Sequence, residues 1–421
     1  MIKTPLSTMI GGALWTPETT VIGGTSKKTF DPLIQSLFSN SEQGFFYDPN
    51  DLTTMFQDAA GTIPVTAVGQ PVGLLLDKSK KLALANVLNV YGHFTSNLSG
   101  WRIGSATSAV IESGEARVTF GGTFTASSSN WFSVYAPYYA GERYTVSFDA
   151  TYVSGGNLQA GFGHTVGMTV LGVENAGVKQ TYTLTAGGTT DTTRELLAFG
   201  SDSAGSVWKI DNVSVKKVQG NHAFQATSTS RPILRKNTST GANYLEFDGT
   251  DDFLKTSFIE FNSANKLSLF AAIHKSSTSA GMLCELSADA SWSTGSFYLI
   301  TPQSSGVQSP DSFLLRGTIA ASKSYVTTPS SKVIYSIQAD MVNKSIAFKT
   351  NGVLRAPTEA DVGDDVGLYN YPLFIGRRNG PSIPFNGHLY SLVGVTKLAS
   401  ETETTDIENA LSQYSGVRLN V

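Results

Sequence analysis

The sequence predicts an all-β protein built of antiparallel sandwiches, and three observations predict it. Gly contributes 41 of the 421 residues, Ser and Thr are plainly abundant, and only 15% of residues are charged, a turn-rich and weakly charged composition. The 23 Phe and 16 Tyr suit pleated, half-buried surfaces. Short runs alternate with a period of two, as in RYTVSFDATYV (143–153), where Tyr144, Val146, Phe148, Ala150 and Tyr152 share one face and Thr145, Ser147, Asp149 and Thr151 the other.

The elements follow in order. Residues 1–30 carry Pro5, Pro17 and the pairs Gly11-Gly12 and Gly23-Gly24, and read as an extended arm without a core of its own. DPLIQSLFSNSEQ (31–43) predicts a short helix, with Asp31 as N-cap, Pro32 at its first position, and Leu33, Leu37 and Phe38 on one face. A strand at Phe45–Tyr47 then enters a DPND turn. PVGLLLDKSKKLALANVL (71–88) starts as a buried strand, breaks at Asp77–Lys81, and turns apolar again without a linker. EARVTF (115–120), QTYTLTA (180–186), RELLAFG (194–200) and VWKIDNVSV (207–215) are further strands.

From residue 220 the strand pattern continues. NYLEFDGTDDFL (243–254) runs into an acidic turn, and KLSLFAAIHK (266–275) sets Leu267, Leu269, Ala271 and Ile273 inward. SIAFKTNGVLRA (345–356) is a hairpin about Asn351-Gly352, a pair that tolerates the two positive φ angles of a type I′ turn. One helix closes the chain: Ser400 and Glu403 form a capping box, Ile407, Leu411 and Tyr414 share a face, and Gly416 ends it.

Charge narrows the function. Thirty Lys plus Arg against 33 Asp plus Glu give a net charge of −3, which offers no electrostatic footprint for nucleic acid or an anionic membrane. No run reaches the ~18 to 20 apolar residues of a spanning helix, so membrane insertion is not expected. The single Cys284, among apolar neighbours, reads as a core thiol. His93, His164, His222, His274 and His388 are scattered, without zinc-binding spacing, and no nucleophile elbow or P-loop occurs. Asp251-Asp252 and Asp364-Asp365 are neighbours on turns, expected to point apart rather than to face each other across the ~5 to 9 Å of a glycosidase. The chain is therefore expected to be a non-enzyme.

Two sets of side chains have binding chemistry. Asp248, Asp251 and Asp252 supply hard oxygen ligands from one turn, which suits a structural calcium; no other cofactor is indicated. SSSNWFSVYAPYYAGERY (127–144) is dense in aromatics, and Trp131, Tyr135, Tyr138 and Tyr139, beside Asn130, are candidates for stacking on sugar rings. Alternation puts Trp131, Ser133 and Tyr135 on one face and Phe132 and Val134 on the other, so only one set can face solvent while the other fills a core.

Three segments resemble known families. Residues 220–421, through LEFDGTDDFL, AFKTNGVLRA and LFIGRRNGPSIPFNGHLYSLVGVTKLAS with its terminal helix, resemble the concanavalin A-like, laminin G-type jelly roll. Residues 90–216, through Phe94, Gly100-Trp101, AGERYTVSFDA and KIDNVSVKKV, resemble the carbohydrate-binding-module type of jelly roll. That resemblance implies sugar contact by the aromatic set and a structural calcium between first and last strands, where Asp211 matches. The opening motif departs, with Tyr91-Gly92-His93-Phe94 in place of Asn-Gly-Asp-Phe.

EQGFFYDPNDLTTMFQDAAGTIPVTAVGQPVGLLLDKSK (42–80) resembles a segment of tailed-bacteriophage structural proteins that is followed directly by a GNHAFQATSTSRPILR-like piece. Here residues 81–218 lie between the two. The resemblances together imply two jelly-roll sandwiches, one inserted in the other: an arm at 1–40, a first part at 41–80, the insert at 81–218 and the remainder at 219–421. They imply a bacteriophage virion protein (tail fibre, tailspike-like or baseplate component) that contacts a host cell-surface glycan. Its arm would bind other virion proteins, and it would form a homo-oligomer, a trimer by preference. With no signal peptide evident, it is expected to be made in the host cytoplasm and to end in the virion. Two other readings fit the folds: a bacterial carbohydrate-binding protein or accessory module of a glycosidase, and a capsid decoration protein with no ligand.

Overall fold

A strand buried on one face alternates, and a strand buried on both does not; the protein contains both kinds. The computed structural model describes residues 8–10, 13–15, 20–22, 25–27, 30–61, 63–88, 92–124, 130–135, 143–161, 180–185, 195–289, 293–305, 310–317, 321–326, 331–355, 358–359, 367–380 and 382–420. Among them, every strand pair in the four large sheets is antiparallel.

The larger sandwich has two nine-stranded sheets. One runs in the order Ala321–Val326, Asp311–Arg316, Phe297–Ile300, Met282–Leu286, Tyr371–Ile375, Leu254–Ile259, Ala223–Phe224, Leu74–Leu75, Met55–Phe56. The other runs Ile233–Lys236, Asn243–Asp248, Asn386–Val395, Lys266–Lys275, Lys332–Asp340, Ser345–Thr350, Val353–Leu354. Gly44–Tyr47 joins it alongside Asn386–Val395, and Thr358–Glu359 alongside Ser345–Thr350. The core between these sheets contains Leu267, Leu269, Ala271 and Ile273, as their alternation predicts, and the buried Cys284.

The back of the second sheet is covered as well. A helix at Phe30–Gln35, a 3₁₀ turn at Ser36–Phe38 and the closing helix Glu401–Ser415 bury Phe30, Leu33, Ile34, Leu37, Ile407 and Leu411 against Phe46, Phe270, Ala272 and Val393. Residues 30–38, assigned from sequence to the arm, are thus packed on this sandwich, and the helix begins one residue before Asp31. Asp31 instead meets Lys78 at 2.5 Å. The closing helix has the expected capping box, and Gly416 sits at φ 70°. Asn351 and Gly352 take φ 51° and 84°, as a type I′ turn requires.

The smaller sandwich is built from residues 84–218. One sheet orders Thr107–Glu112, Glu115–Phe120, Ser206–Val218, Arg143–Ser154 and Gln180–Thr185, with Leu84–Asn86 beside Ser206–Val218. The other orders Leu158–Gly161, Glu195–Ser201, Phe132–Tyr135 and Trp101–Ile103. Between them lie Phe94, Trp101, Phe132, Phe148, Phe199 and Trp208, with the Trp101 and Phe132 rings stacked at 4.6 Å.

The chain leaves the larger sandwich after Leu75 and re-enters at Ala223, which pairs directly with Leu75. In the polar break between them Asp77, Lys78 and Ser79 are buried, while Lys81 is exposed. Asp77 accepts hydrogen bonds from the Phe46, Ser79 and Asn221 amides at 2.7, 2.8 and 2.7 Å and from the Ser79 hydroxyl at 2.8 Å. The Asp77 amide donates to His222 Nδ1 at 3.0 Å, which leaves the imidazole proton on Nε2, facing the Val218 carbonyl at 3.2 Å. Burial pushes the His222 pKa down to about 4, so the ring stays neutral. Lys78, only 5% exposed, is held by Asp31, Asp48 and Asp51. Asp77 and Lys78 can be buried here because each has its partners.

Candidate functional site

The aromatic set lies on the four-stranded sheet of the smaller sandwich. Phe132 and Val134 point into the core, so Trp131 and Ser133 take the opposite, outer face. Register places Arg102, Ser133, Ala198 and Gly161 in one row across that face. Ser133, Ala198 and Gly161 are small and buried, the first two at 0% exposure, and Arg102 is exposed at the edge of the row. The Ser133 hydroxyl is buried and has no hydrogen-bond partner among the described residues.

Trp131 is not an open platform. It is 9% exposed and packs with Phe124 over Ala198. Phe124 fits there because residue 200 is Gly: a Cβ would stand 2.2 Å from its ring. The alternation fixed the face that Trp131 takes, but burial by Phe124 depends on a contact the strand pattern does not carry. Asn130 sits nearby, its amide reaching the Thr123 carbonyl at 3.4 Å. Tyr135 ends the strand Phe132–Tyr135, while Tyr138 and Tyr139 lie outside the described residues.

The acidic residues fall in two places. Gly249, at φ 77°, turns the chain tightly enough that Asp248, Asp251 and Asp252 bring carboxylate oxygens within 4.8 Å of one another. This corrects the expectation that Asp251 and Asp252 point apart. Asp252 accepts from the Asp248 amide at 3.0 Å, Asp248 from the Thr250 amide at 2.7 Å, and Asp251 from the Ser230 hydroxyl at 2.6 Å. Burial, and next the Asp248 and Asp251 charges, push the Asp252 pKa up to about 6. Such a trio has the hard oxygen donors a calcium takes.

Asp211 belongs to the smaller sandwich, where it stands directly opposite Asp149. Like charges in that position repel. Asn212, in a left-handed conformation at φ 53°, donates to Asp149 at 2.5 Å, and the Phe94 amide donates to Asp211 at 3.0 Å. Gly92 lies against the last strand so closely that a Cβ would meet the Val213 carbonyl at 1.8 Å. The opening segment and last strand therefore meet, with Asp149 as the second carboxylate. Its outward position was readable from the alternation of RYTVSFDATYV, though its pairing with Asp211 was not.

A polar cleft of about 600 Å³ opens between the Phe30–Phe38 segment and residues 79–81, lined by Gln35, Ser36, Phe38, Ser79, Lys80 and Lys81 among others. Lys80 is engaged there, donating to the Glu42 carbonyl at 2.7 Å. Cys284 is buried, and burial pushes its thiol up to about 12. No helix among the described residues is long and apolar enough to cross a membrane.

No family model and no curated protein sequence matches the chain. Among solved structures it is similar, over 37% of its length, to 97% of the Ruminococcus gnavus IT-sialidase CBM40, at 15% identity and a TM-score of 0.28. It is similar, over 44% of its length, to 47% of a chain titled as the receptor binding domain of botulinum neurotoxin C/D mosaic serotype, at 12% identity and a TM-score of 0.33. Over 41% of its length it is similar to 27% of the leech intramolecular trans-sialidase, at 13% identity and a TM-score of 0.30. The chain thus covers under half of the toxin chain and about a quarter of the leech chain.

Proposed function

We propose that this chain is a non-enzymatic, glycan-binding structural protein of a bacteriophage particle, a tail-fibre, tailspike-like or baseplate component. The observation that carries the binding is the outer face of the four-stranded sheet, where the exposed Arg102 guanidinium and the Trp131 ring share one face, over the buried small residues Ser133, Ala198 and Gly161. An aromatic wall beside a polar side chain is a combination that a sugar uses. The particle setting is supported by the resemblance of residues 42–80 and 220–235 to tailed-bacteriophage structural proteins. Display in an oligomer multiplies weak single sites into useful attachment.

The test is binding of the full chain to a glycan array and to whole bacterial cells, beside Arg102→Ala and Trp131→Ala. Arg102→Ala changes an exposed side chain and leaves Phe132 and Val134 in the core. Binding that drops at least about tenfold in Arg102→Ala, at unchanged melting temperature, supports the site. Full binding by both variants refutes it, and no binding by the intact chain makes it a scaffold or decoration protein.

A further inference from the structure

His274 and His388 lie 114 residues apart in sequence, with no spacing that suggests a joint role. The fold sets them directly opposite each other on the strands Lys266–Lys275 and Asn386–Val395. Both are partly exposed, on the end of the sheet's outer face that lies beyond the helices. Their Nδ1 atoms are 3.3 Å apart, and the rings stand edge to face at 86°. Tyr244, from the next strand, stacks on His388 at 4.1 Å and 18°, which fixes that ring.

We propose that this histidine pair is a chelating site for a divalent transition metal of the zinc type. Two nitrogens that bind one tetrahedral zinc at ~2.0 to 2.1 Å are themselves about 3.3 to 3.4 Å apart, the spacing already present here. Bound metal takes the place of the proton shared between the two Nδ1 atoms. The ring that carried it shifts to its Nε2–H tautomer, so two neutral imidazoles ligate and no net proton is released. Neutral rings are what the surroundings favour: burial pushes His388 down to about 4 and lowers His274, with Lys332 opposing protonation of both. Glu246 stands opposite His388 on the far side, held by Arg235 at 2.7 Å, and Lys332 stands opposite His274. Two protein nitrogens leave the remaining metal positions to water or to an incoming donor.

The experiment uses the tag-free full chain, titrated with zinc chloride by calorimetry and with cobalt(II) by visible absorption. Wild type is expected to bind one equivalent competitively with cobalt, whose absorption reports tetrahedral nitrogen ligation. His274→Asn, with unchanged circular dichroism, is expected to bind at least about tenfold more weakly. His93→Gln, an exposed histidine elsewhere, is expected to bind as wild type. Asp251→Asn serves as the control for the acidic turn. Zinc binding unaffected by His274→Asn, zinc binding abolished by Asp251→Asn, or no binding at all would each overturn the assignment.

Discussion

The strands KLSLFAAIHK and RYTVSFDATYV look alike in sequence and are buried differently. In the larger sandwich, residues Leu267 to Ile273 are buried without interruption, because Phe270 and Ala272 pack with the two helices on the sheet's back and Ser268 bonds residues 397 and 399, which lead into the closing helix. In the smaller sandwich, residues Arg143 to Ala150 alternate between buried and half-buried, because the back of that strand stays open. Alternation therefore identifies one buried face in both strands. Whether the other face is also buried depends on elements far away in the chain, here residues 30–38 and 401–415.

The sharpest way to break this comparison is to test the second face directly. Phe270→Ala should cost about 3 to 5 kcal/mol, as a core Phe does, although it lies outside the main core. Thr145→Ala, on the open back of Arg143–Ser154, should stay within about 0.5 kcal/mol. Urea unfolding can assign each loss, because three of the five Trp, Trp101, Trp131 and Trp208, lie in the smaller sandwich and weight the fluorescence toward it, while circular dichroism follows the whole chain. A mild Phe270→Ala would mean that the helices do not seal the larger sheet.

The next effect belongs to the seam. Asp77→Ala removes the acceptor of three backbone amides and a hydroxyl inside the protein, a loss of roughly 3 kcal/mol or more. The smaller sandwich, whose strands bond among themselves, should keep its fluorescence transition while the larger one unfolds earlier. Equal loss in both would mean that the two sandwiches unfold as one unit.

These particulars show what the sequence made legible. Turn chemistry and caps were readable because they are local: Asn351-Gly352, Ser400 with Glu403, and Gly416 all took the expected conformations. The acidic turn was readable for the same reason, apart from the convergence that Gly249 permits. The face of Trp131 was readable, but its cover by Phe124 was not. The pairs His274–His388 and Asp149–Asp211 were invisible, since cross-strand partners are set by register between distant segments. The burial of Asp77 and Lys78 was not readable, because their partners, Asp31, Asp48 and Asn221, are brought in only by the fold.

Acid should weaken the same seam through His222. Its folded pKa near 4 lies below the ordinary 6.5, so between those values the unfolded chain binds a proton that the native ring refuses. The stability due to the neutral ring is present above about pH 6.5 and is lost as pH falls toward 4, by at most about 3 kcal/mol. Burial raises the Asp77 carboxyl, which acts in the opposite sense on acidification, and His274 and His388 add slopes of their own. Comparison with His222→Gln isolates the histidine. Melting temperatures from pH 7 to 4.5 should fall less steeply in the variant, and parallel curves would show that His222 protonates in place.

The smallest effect tests the cover from its far end. Ser400 accepts the Glu403 amide at 3.1 Å, and the Glu403 carboxylate accepts from the Ser400 amide at 2.7 Å, so Ser400→Ala frees the Glu403 amide at an exposed helix start and leaves the second bond in place. A cap of this kind is worth about 1 kcal/mol. The helix rests on Phe270 and Val393 and, among the described residues, shares no core cluster with the smaller sandwich, so the loss should appear only in the larger sandwich's transition. Combined with Phe270→Ala, the cap change should cost less than it does alone, because both weaken one interface and contacts that share an interface do not add. Full additivity would mean that the helix draws its stability from its own turns, and that the continuous burial of Leu267 to Ile273 needs another cause.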